Sequence, residues 1–236
     1  METDSTSKNF IDIDDQSTWP EGVKFFVASL FKKYILDKNQ FLINEDEQLI
    51  PLFKSQQLLT YHATRLLPHE IMDIKNNGLK ILTRELVRKK IDDAVNYGYL
   101  TQEIGTELLQ NSILWRKRQT NRENQVCLVL GGSPFRNSAP GLRLLFGIWG
   151  GEAINMTVVG NKYRALLSEI GEAVVSKVHL PLDTNSNFQV HPSITLSFMK
   201  AFKKEGPVCD LLWREGTIHS KHILEVFSPK EMLPLD

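Results

Sequence analysis

The stretch Gln57–Leu82, QLLTYHATRLLPHEIMDIKNNGLKIL, decides the fold that the sequence predicts. It opens with the apolar run Leu58–Tyr61, whose length and composition are typical of a β-strand. Three polar residues follow at the end of this strand: His62, Thr64 and Arg65. Pro68 then favours the start of a helix, and Gly78 favours its end because glycine adopts the left-handed conformation at little cost. The stretch therefore predicts a strand, a turn whose side chains can face a ligand, and a short helix.

Tyr61-His62-Ala63-Thr64-Arg65, with a helix ending at Asn77-Gly78-Leu79, resembles the opening element of the ADP-ribosyltransferase superfamily. In that family a strand ends in Tyr-His-x-Thr or a similar sequence, and its His hydrogen-bonds a ribose hydroxyl of NAD. The resemblance implies an α+β fold, with a split antiparallel sheet that carries the NAD cleft and helices around it. It also implies that NAD is the substrate and that His62, Thr64 and Arg65 bind it. The alternative is that His62 is an ordinary turn histidine, satisfied by neighbouring backbone.

The composition is that of a soluble globular protein. Of 236 residues, 42% are hydrophobic and 24% are charged, and the 28 basic residues balance the 28 acidic ones. No excess of either charge points to DNA, RNA or a membrane surface, so a nucleic-acid substrate would need a local patch. We expect residues 1–17 to be a poorly ordered tail, and 18–236 to be a single domain with an N-terminal helical extension.

The cysteines and the hydropathy pattern predict a cytoplasmic protein with no membrane partner. Cys127 and Cys209 both lie in apolar runs, as buried free thiols of a reducing compartment do. The sequence has no N-terminal signal pattern and no run of 18 apolar residues.

Apolar periodicity predicts the other main elements. Helices are expected over residues 19–37, 83–111 and 192–204. Strands are expected over residues 125–130, 142–149 and 173–182, and residues 207–213 and 221–227 are expected to pair as two late strands. The segment Trp115–Arg122 has four basic residues beside an aromatic, which is compatible with phosphate binding, with NAD diphosphate or with an exposed loop.

Trp149-Gly150-Gly151-Glu152 is the second stretch with the character of a ligand site. Two glycines let the backbone approach a ligand or adopt a positive φ, and a carboxylate follows at once. Trp149 is predicted to stack on nicotinamide, with Tyr97 and Tyr99 as alternatives. The other interpretation of this stretch is a simple turn whose Glu152 faces water.

Cleavage of NAD passes through an oxocarbenium-like centre, which a nearby carboxylate stabilises. We expect Glu152 to be this carboxylate. The family's Glu usually begins a late strand, and Asp210 stands at that place, so Asp210 is the rival catalytic candidate. Its alternative role is that of an edge-strand residue facing solvent.

The sequence lacks the motifs of other common reaction and binding classes. His179 and His191 are isolated, and His219 with His222 has no Cys partners at zinc-finger spacing, so no metal is predicted. No glycine-rich phosphate loop and no serine nucleophile elbow are present.

The resemblance implies NAD-dependent ADP-ribosyl transfer to a macromolecular acceptor, either protein or nucleic acid, as in a bacterial toxin or a phage-related effector. Two alternatives remain open. One is an NAD glycohydrolase, which uses the same site with water as the acceptor. The other is a non-catalytic module that binds a nucleotide or a protein on the same fold.

Overall fold

The computed structural model describes most of the chain, with gaps mainly in the termini and loops. The described residues are 10–36, 45–53, 55–115, 123–132, 140–155, 157–182, 187–191, 193–205 and 210–232.

The described residues form an α+β fold, as predicted, with one open sheet of mostly antiparallel strands. The finer prediction, an ADP-ribosyltransferase-like split sheet, stays a prediction. The strands are β1 (Phe10–Ile11), β2 (Gln57–Leu66), β3 (Val126–Leu130), β4 (Glu172–Pro181), β5 (Phe188–His191), β6 (Asp210–Trp213) and β7 (Ile223–Phe227). The helices are α1 (Glu21–Leu36), α2 (Asp46–Leu49), α3 (Pro68–Asn77), α4 (Arg84–Asn96), α5 (Gln102–Asn111), α6 (Pro140–Gly147), α7 (Gly151–Asn155), α8 (Val158–Lys162), α9 (Arg164–Glu169) and α10 (Ile194–Phe202). Short 3-10 segments lie at Gln16–Thr18, Ile50–Phe53, Ile113–Trp115, Ser220–His222 and Pro229–Met232.

The strands form one open sheet in the order β5-β6-β3-β2-β4-β7, and β1 pairs with β2. Pairing is antiparallel except between β1 and β2. All of β2 pairs with β4, from Gln57 opposite Pro181 to Leu66 opposite Glu172. In contrast, β2 pairs with β3 only at Thr60–Leu130 and Tyr61–Val129. The two strands therefore diverge just where the polar residues of β2 begin.

Side chains alternate across β2, so each face of the sheet has its own hydrophobic layer. On one face, Leu58 and Leu66 belong to the main core, which includes residues of α1, α3 and α10. On the other face, Leu59 and Tyr61 pack with residues of α6. A third cluster joins α4 and α5 to the segment around Trp149. The helices thus enclose the end of β2 where it leaves β3.

Most predicted elements are confirmed near their predicted ends. The strand of the opening stretch is β2, but it continues to Leu66, so the turn predicted at His62, Thr64 and Arg65 is wrong and these residues lie within the strand. The strand predicted at residues 173–182 is β4, Glu172–Pro181. The three predicted helical regions contain α1, α4 with α5, and α10. The prediction of α3 and its glycine stop is also confirmed, since Gly78 is the C-cap with φ +87°.

Three predictions about elements are wrong. Residues 10–17 are ordered, because β1 extends the sheet beside β2 and Asp15 caps the 3-10 segment Gln16–Thr18. The run 142–149 is mostly helical, as the last residues of α6. The late strands β6 and β7 do not pair with each other: β6 pairs with β3 and β5, whereas β7 pairs with β4. The prediction for Cys209 falls outside the described residues.

Asp46 of α2 is expected to stabilise the fold through a remote helix end. Its carboxylate accepts hydrogen bonds from Ser193 Oγ (2.7 Å) and from the backbone N–H groups of Ile194 (3.2 Å) and Thr195 (2.8 Å), at the start of α10. Asp46→Ala should lower the free energy of unfolding by about 1.5–3 kcal/mol, because hydrogen bonds to a charged group are lost. Urea denaturation measures this loss. Glu47→Ala, in the exposed neighbour, is the control, and equal effects of the two changes would contradict the prediction.

Candidate functional site

A cleft of about 350 Å³ opens where β2 and β3 diverge. This volume lies in the range of about 300–1,000 Å³ that ligand pockets occupy. Its walls come from the end of β2, the start of β3, helices α3 and α4, and the Gly150–Gly151 turn. His62, Thr64 and Glu152, three of the residues singled out from the sequence, all line it.

His62 fills the gap between the two diverging strands. Its Nδ1 lies 2.8 Å from the backbone carbonyl of Cys127 on β3. Because a carbonyl only accepts hydrogen bonds, Nδ1 carries the proton and Nε2 is the acceptor of the neutral ring. Part of the ring faces the cleft, although the surrounding protein keeps bulk water away from most of it.

The environment of His62 favours its neutral form. Burial lowers the pKa of His62, and the positive charge of Lys90 lowers it further, against the opposite effect of the bond to Cys127. At pH 7 the side chain is therefore neutral, and its Nε2 can accept a hydrogen bond from a ligand.

Glu152 reaches the cleft by way of a glycine turn. Gly150 and Gly151 have φ values of +103° and +59°, and Glu152 lies in the first turn of α7. A Cβ on Gly150 would lie 2.6 Å from Ile154 Cδ1, so the backbone there has both a glycine conformation and a close neighbour. The two glycines do form a turn with positive φ, and Glu152 lines the cleft together with His62.

Trp149 is not placed to stack on a ligand, and this part of the prediction is wrong. The indole is fully buried, and its Nε1–H donates to Glu70 Oε2 at 2.8 Å. Of the two other aromatic candidates, Tyr97 is 63% exposed and its ring lies 4.7 Å from that of His69, which lines the cleft. Tyr97 therefore lies beside a residue that lines the cleft, although neither Tyr97 nor Tyr99 lines the cleft itself.

Arg65 and Asp210 do not line the cleft. Arg65 donates to the backbone carbonyls of Ile170 (2.8 Å) and Phe146 (3.2 Å), so it joins β2 to the segments before β4 and within α6. Asp210 begins β6, opposite Val129, which pairs with Tyr61. Residues in one cross-strand row share a face, so Asp210 is on the opposite face of the sheet from His62. The prediction that Arg65 and Trp149 line one pocket with His62 is wrong.

The cleft has a charged wall that was not predicted from the sequence. Glu70 of α3 is 9% exposed, and its carboxylate meets Lys90 of α4. Nearby, Lys80 pairs with Asp73 and Lys89 pairs with Asp93, each at 2.6 Å. Only the position of Glu70 gave a signal: it is the third residue of a helix that begins with Pro68, where a carboxylate commonly caps the backbone.

The predicted basic segment is mostly outside the described residues. Its first residue, Trp115, is half-buried, and the guanidinium of Arg84 lies 5.7 Å from its ring. Within the described ranges, no group of three His, Cys, Asp or Glu side chains is arranged to hold a metal ion. Nor does that part of the chain include a helix with the length and apolarity needed to span a membrane.

Comparisons of the chain with protein-family models, with curated proteins and with solved structures gave no match.

Proposed function

We propose that the chain transfers ADP-ribose from NAD to a macromolecular acceptor. The observation that carries this proposal is that His62 and Glu152 line the same cleft, at the point where β2 and β3 diverge. The local resemblance of Gln57–Leu82 to the ADP-ribosyltransferase superfamily supports the same activity.

In this proposal His62 binds the nicotinamide ribose. Its Nδ1–H is held by Cys127 O, so Nε2 accepts a hydrogen bond from a ribose hydroxyl. Thr64, two residues further along β2 and 7% exposed, adds a hydroxyl to the same wall. Tyr97, which is exposed beside His69 of the cleft, takes the place of the buried Trp149 as the aromatic residue that stacks on nicotinamide.

Glu152 acts on the reacting carbon. The bond between nicotinamide and the ribose C1′ breaks, and nicotinamide leaves with the electron pair. The carboxylate stabilises the positive charge that develops on the ribose and takes the proton from the acceptor nucleophile as the new bond forms. Glu152 suits this role better than Asp210, because Asp210 is not among the residues that line the cleft.

Incubation with NAD labelled in the adenylate part, together with a cell lysate, tests the proposal. Label that survives denaturation and is removed by either protease or nuclease supports transfer and gives the acceptor class. Free labelled ADP-ribose in place of NAD is the control for non-enzymatic attachment. Release of nicotinamide without any labelled acceptor would instead identify a glycohydrolase. NAD binding without cleavage would indicate a non-catalytic module.

His62→Ala is expected to raise the Michaelis constant for NAD by about 2- to 13-fold, with a smaller effect on turnover. The reason is that a lost hydrogen bond costs about 0.5–1.5 kcal/mol, and this bond is made before and during the reaction. Steady-state kinetics of nicotinamide release measure the change. His219→Ala, in an exposed histidine beyond the cleft, is the control. An unchanged Michaelis constant in His62→Ala would show that His62 does not bind NAD.

A further inference from the structure

Glu70 is a buried carboxylate for which the proposed reaction has no chemical role. Its Oε2 accepts hydrogen bonds from the Leu67 backbone N–H and from Trp149 Nε1–H, both at 2.8 Å. Its Oε1 forms an ion pair with Lys90 Nζ at 2.5 Å, without the angles of a good hydrogen bond. One side chain therefore connects the end of β2, helix α4 and the segment before the glycine turn.

These contacts join the two walls of the cleft that carry His62 and Glu152. Leu67 follows directly on β2, the strand of His62, whereas Trp149 directly precedes the Gly150–Gly151 turn. Trp149 is also held by its own backbone N–H, which donates to Leu167 O at 2.9 Å. The start of the turn is thus fixed by two hydrogen bonds from one residue.

The glycine turn needs such an anchor. Two adjacent glycines have the most permissive backbone that a chain can have, so the turn alone defines the place of Glu152 poorly. A displacement of about 1 Å at a reacting group can cost about 10² in rate. The buried indole, with Lys90 Nζ 5.7 Å from its ring centre, gives the turn a rigid starting point.

We infer that Glu70 is a positioning residue, which acts through Trp149 Nε1–H to hold Glu152 in place across the cleft from His62. The kinetic part of this inference rests on the proposed function, whereas the anchoring of the turn does not.

Two variants test the inference. Trp149→Phe removes the indole N–H and keeps an aromatic ring in the core. Glu70→Gln replaces the carboxylate by a neutral amide, whose oxygen is a weaker acceptor for the indole N–H, and it also removes the charge that Lys90 pairs with. Trp19→Phe is the matched control, because Trp19 is 2% exposed and its Nε1–H donates to Asp12 O at 2.9 Å, in the main core.

Amide hydrogen exchange measures the anchoring without any substrate. Residues 149–155 should exchange faster in both Trp149→Phe and Glu70→Gln than in the wild type, with β4 unchanged as an internal reference. Trp19→Phe should leave exchange in 149–155 as it is. Wild-type exchange over 149–155 in both test variants would overturn the inference.

Kinetics measure the consequence for Glu152. Both test variants should lose up to about 10²-fold in turnover of NAD, with the Michaelis constant nearly unchanged, because the misplaced carboxylate acts in the transition state. Faster exchange with wild-type turnover would overturn the positioning role. If the wild type does not cleave NAD, the proposed function fails, and hydrogen exchange alone decides whether Glu70 anchors the turn.

Discussion

Glu152→Gln is expected to lower turnover of NAD by about 10²–10³, the usual cost of losing one preorganised group that stabilises charge in the transition state. The substitution keeps the shape of the side chain and removes its charge. The affinity for NAD should hardly change, because the nicotinamide ribose becomes positively charged only as the bond breaks. Single-turnover measurement of nicotinamide release, beside a binding titration, separates the two quantities.

Asp210→Asn is the matched control for this prediction, because it removes a carboxylate that the sequence offered for the same role. Turnover should remain within a few-fold of the wild type, since Asp210 begins β6 and does not line the cleft. An active Glu152→Gln protein beside an inactive Asp210→Asn protein would move the catalytic carboxylate to β6. Full activity in both would mean that the resemblance to the family has misplaced the chemistry.

Of the substitutions proposed to test stability, Gly78→Ala is expected to lower the free energy of unfolding most. Gly78 has φ +87° and ψ −174°, a backbone conformation that costs other residues about 1–3 kcal/mol. A Cβ there would also lie 2.0 Å from Ile218 O, which accepts the Leu79 N–H. Overpacking of this kind costs about 1–3 kcal/mol more. The sum is a large part of the 5–15 kcal/mol by which domains are typically stable.

Gly98→Ala separates the two causes. Gly98 has φ +76°, but no atom lies within 4 Å of a Cβ built there, so the change adds backbone strain without a collision. It should cost about 1–2 kcal/mol. Urea denaturation of both variants measures the difference in the free energy of unfolding, which contains the cost of the close approach to Ile218 and the additional strain of the rarer Gly78 conformation. Equal losses in the two variants would show that the chain around Ile218 moves aside freely.

Local sequence signals predicted the elements that have clear ends. Pro68 and Gly78 mark the two ends of α3. The run 173–182 has the length and composition of a buried strand, and it corresponds to β4, Glu172–Pro181. Such signals depend on a few neighbouring residues, and in these elements the tertiary contacts agree with them.

The run Leu142–Trp149 shows where such signals fail. A continuous apolar stretch fits a buried strand and a helix packed on one side equally well. Here Pro140 begins α6, and Leu144 is 46% exposed while Leu142 is buried. Contacts with β2 and β4 determine that this run is helical, and a local sequence pattern does not contain these contacts.

The candidate site was predictable only in its separate parts. His62 and Glu152 stood out because each follows an apolar run at a place where the sequence predicts a turn. The meeting of these residues in one cleft, and the link through Glu70 and Trp149, depend on elements far apart in the sequence. Trp149 was misassigned for this reason. Its neighbours in the sequence are the same whether its ring faces a ligand or is buried against a distant carboxylate.

Strands that are neighbours in the described sheet are never joined by a tight turn. Even β5 and β6 are separated by α10, and the long pairing of β2 with β4 joins residue 57 to residue 181. Chain entropy must therefore be lost before these pairings contribute any free energy, which predicts refolding in about milliseconds to seconds rather than microseconds. During synthesis, β4 is made before β7, the strand that pairs with its other edge. Until Ile223–Phe227 has emerged, the edge of β4 is open to other nascent chains, and we expect low expression temperature to improve the soluble yield.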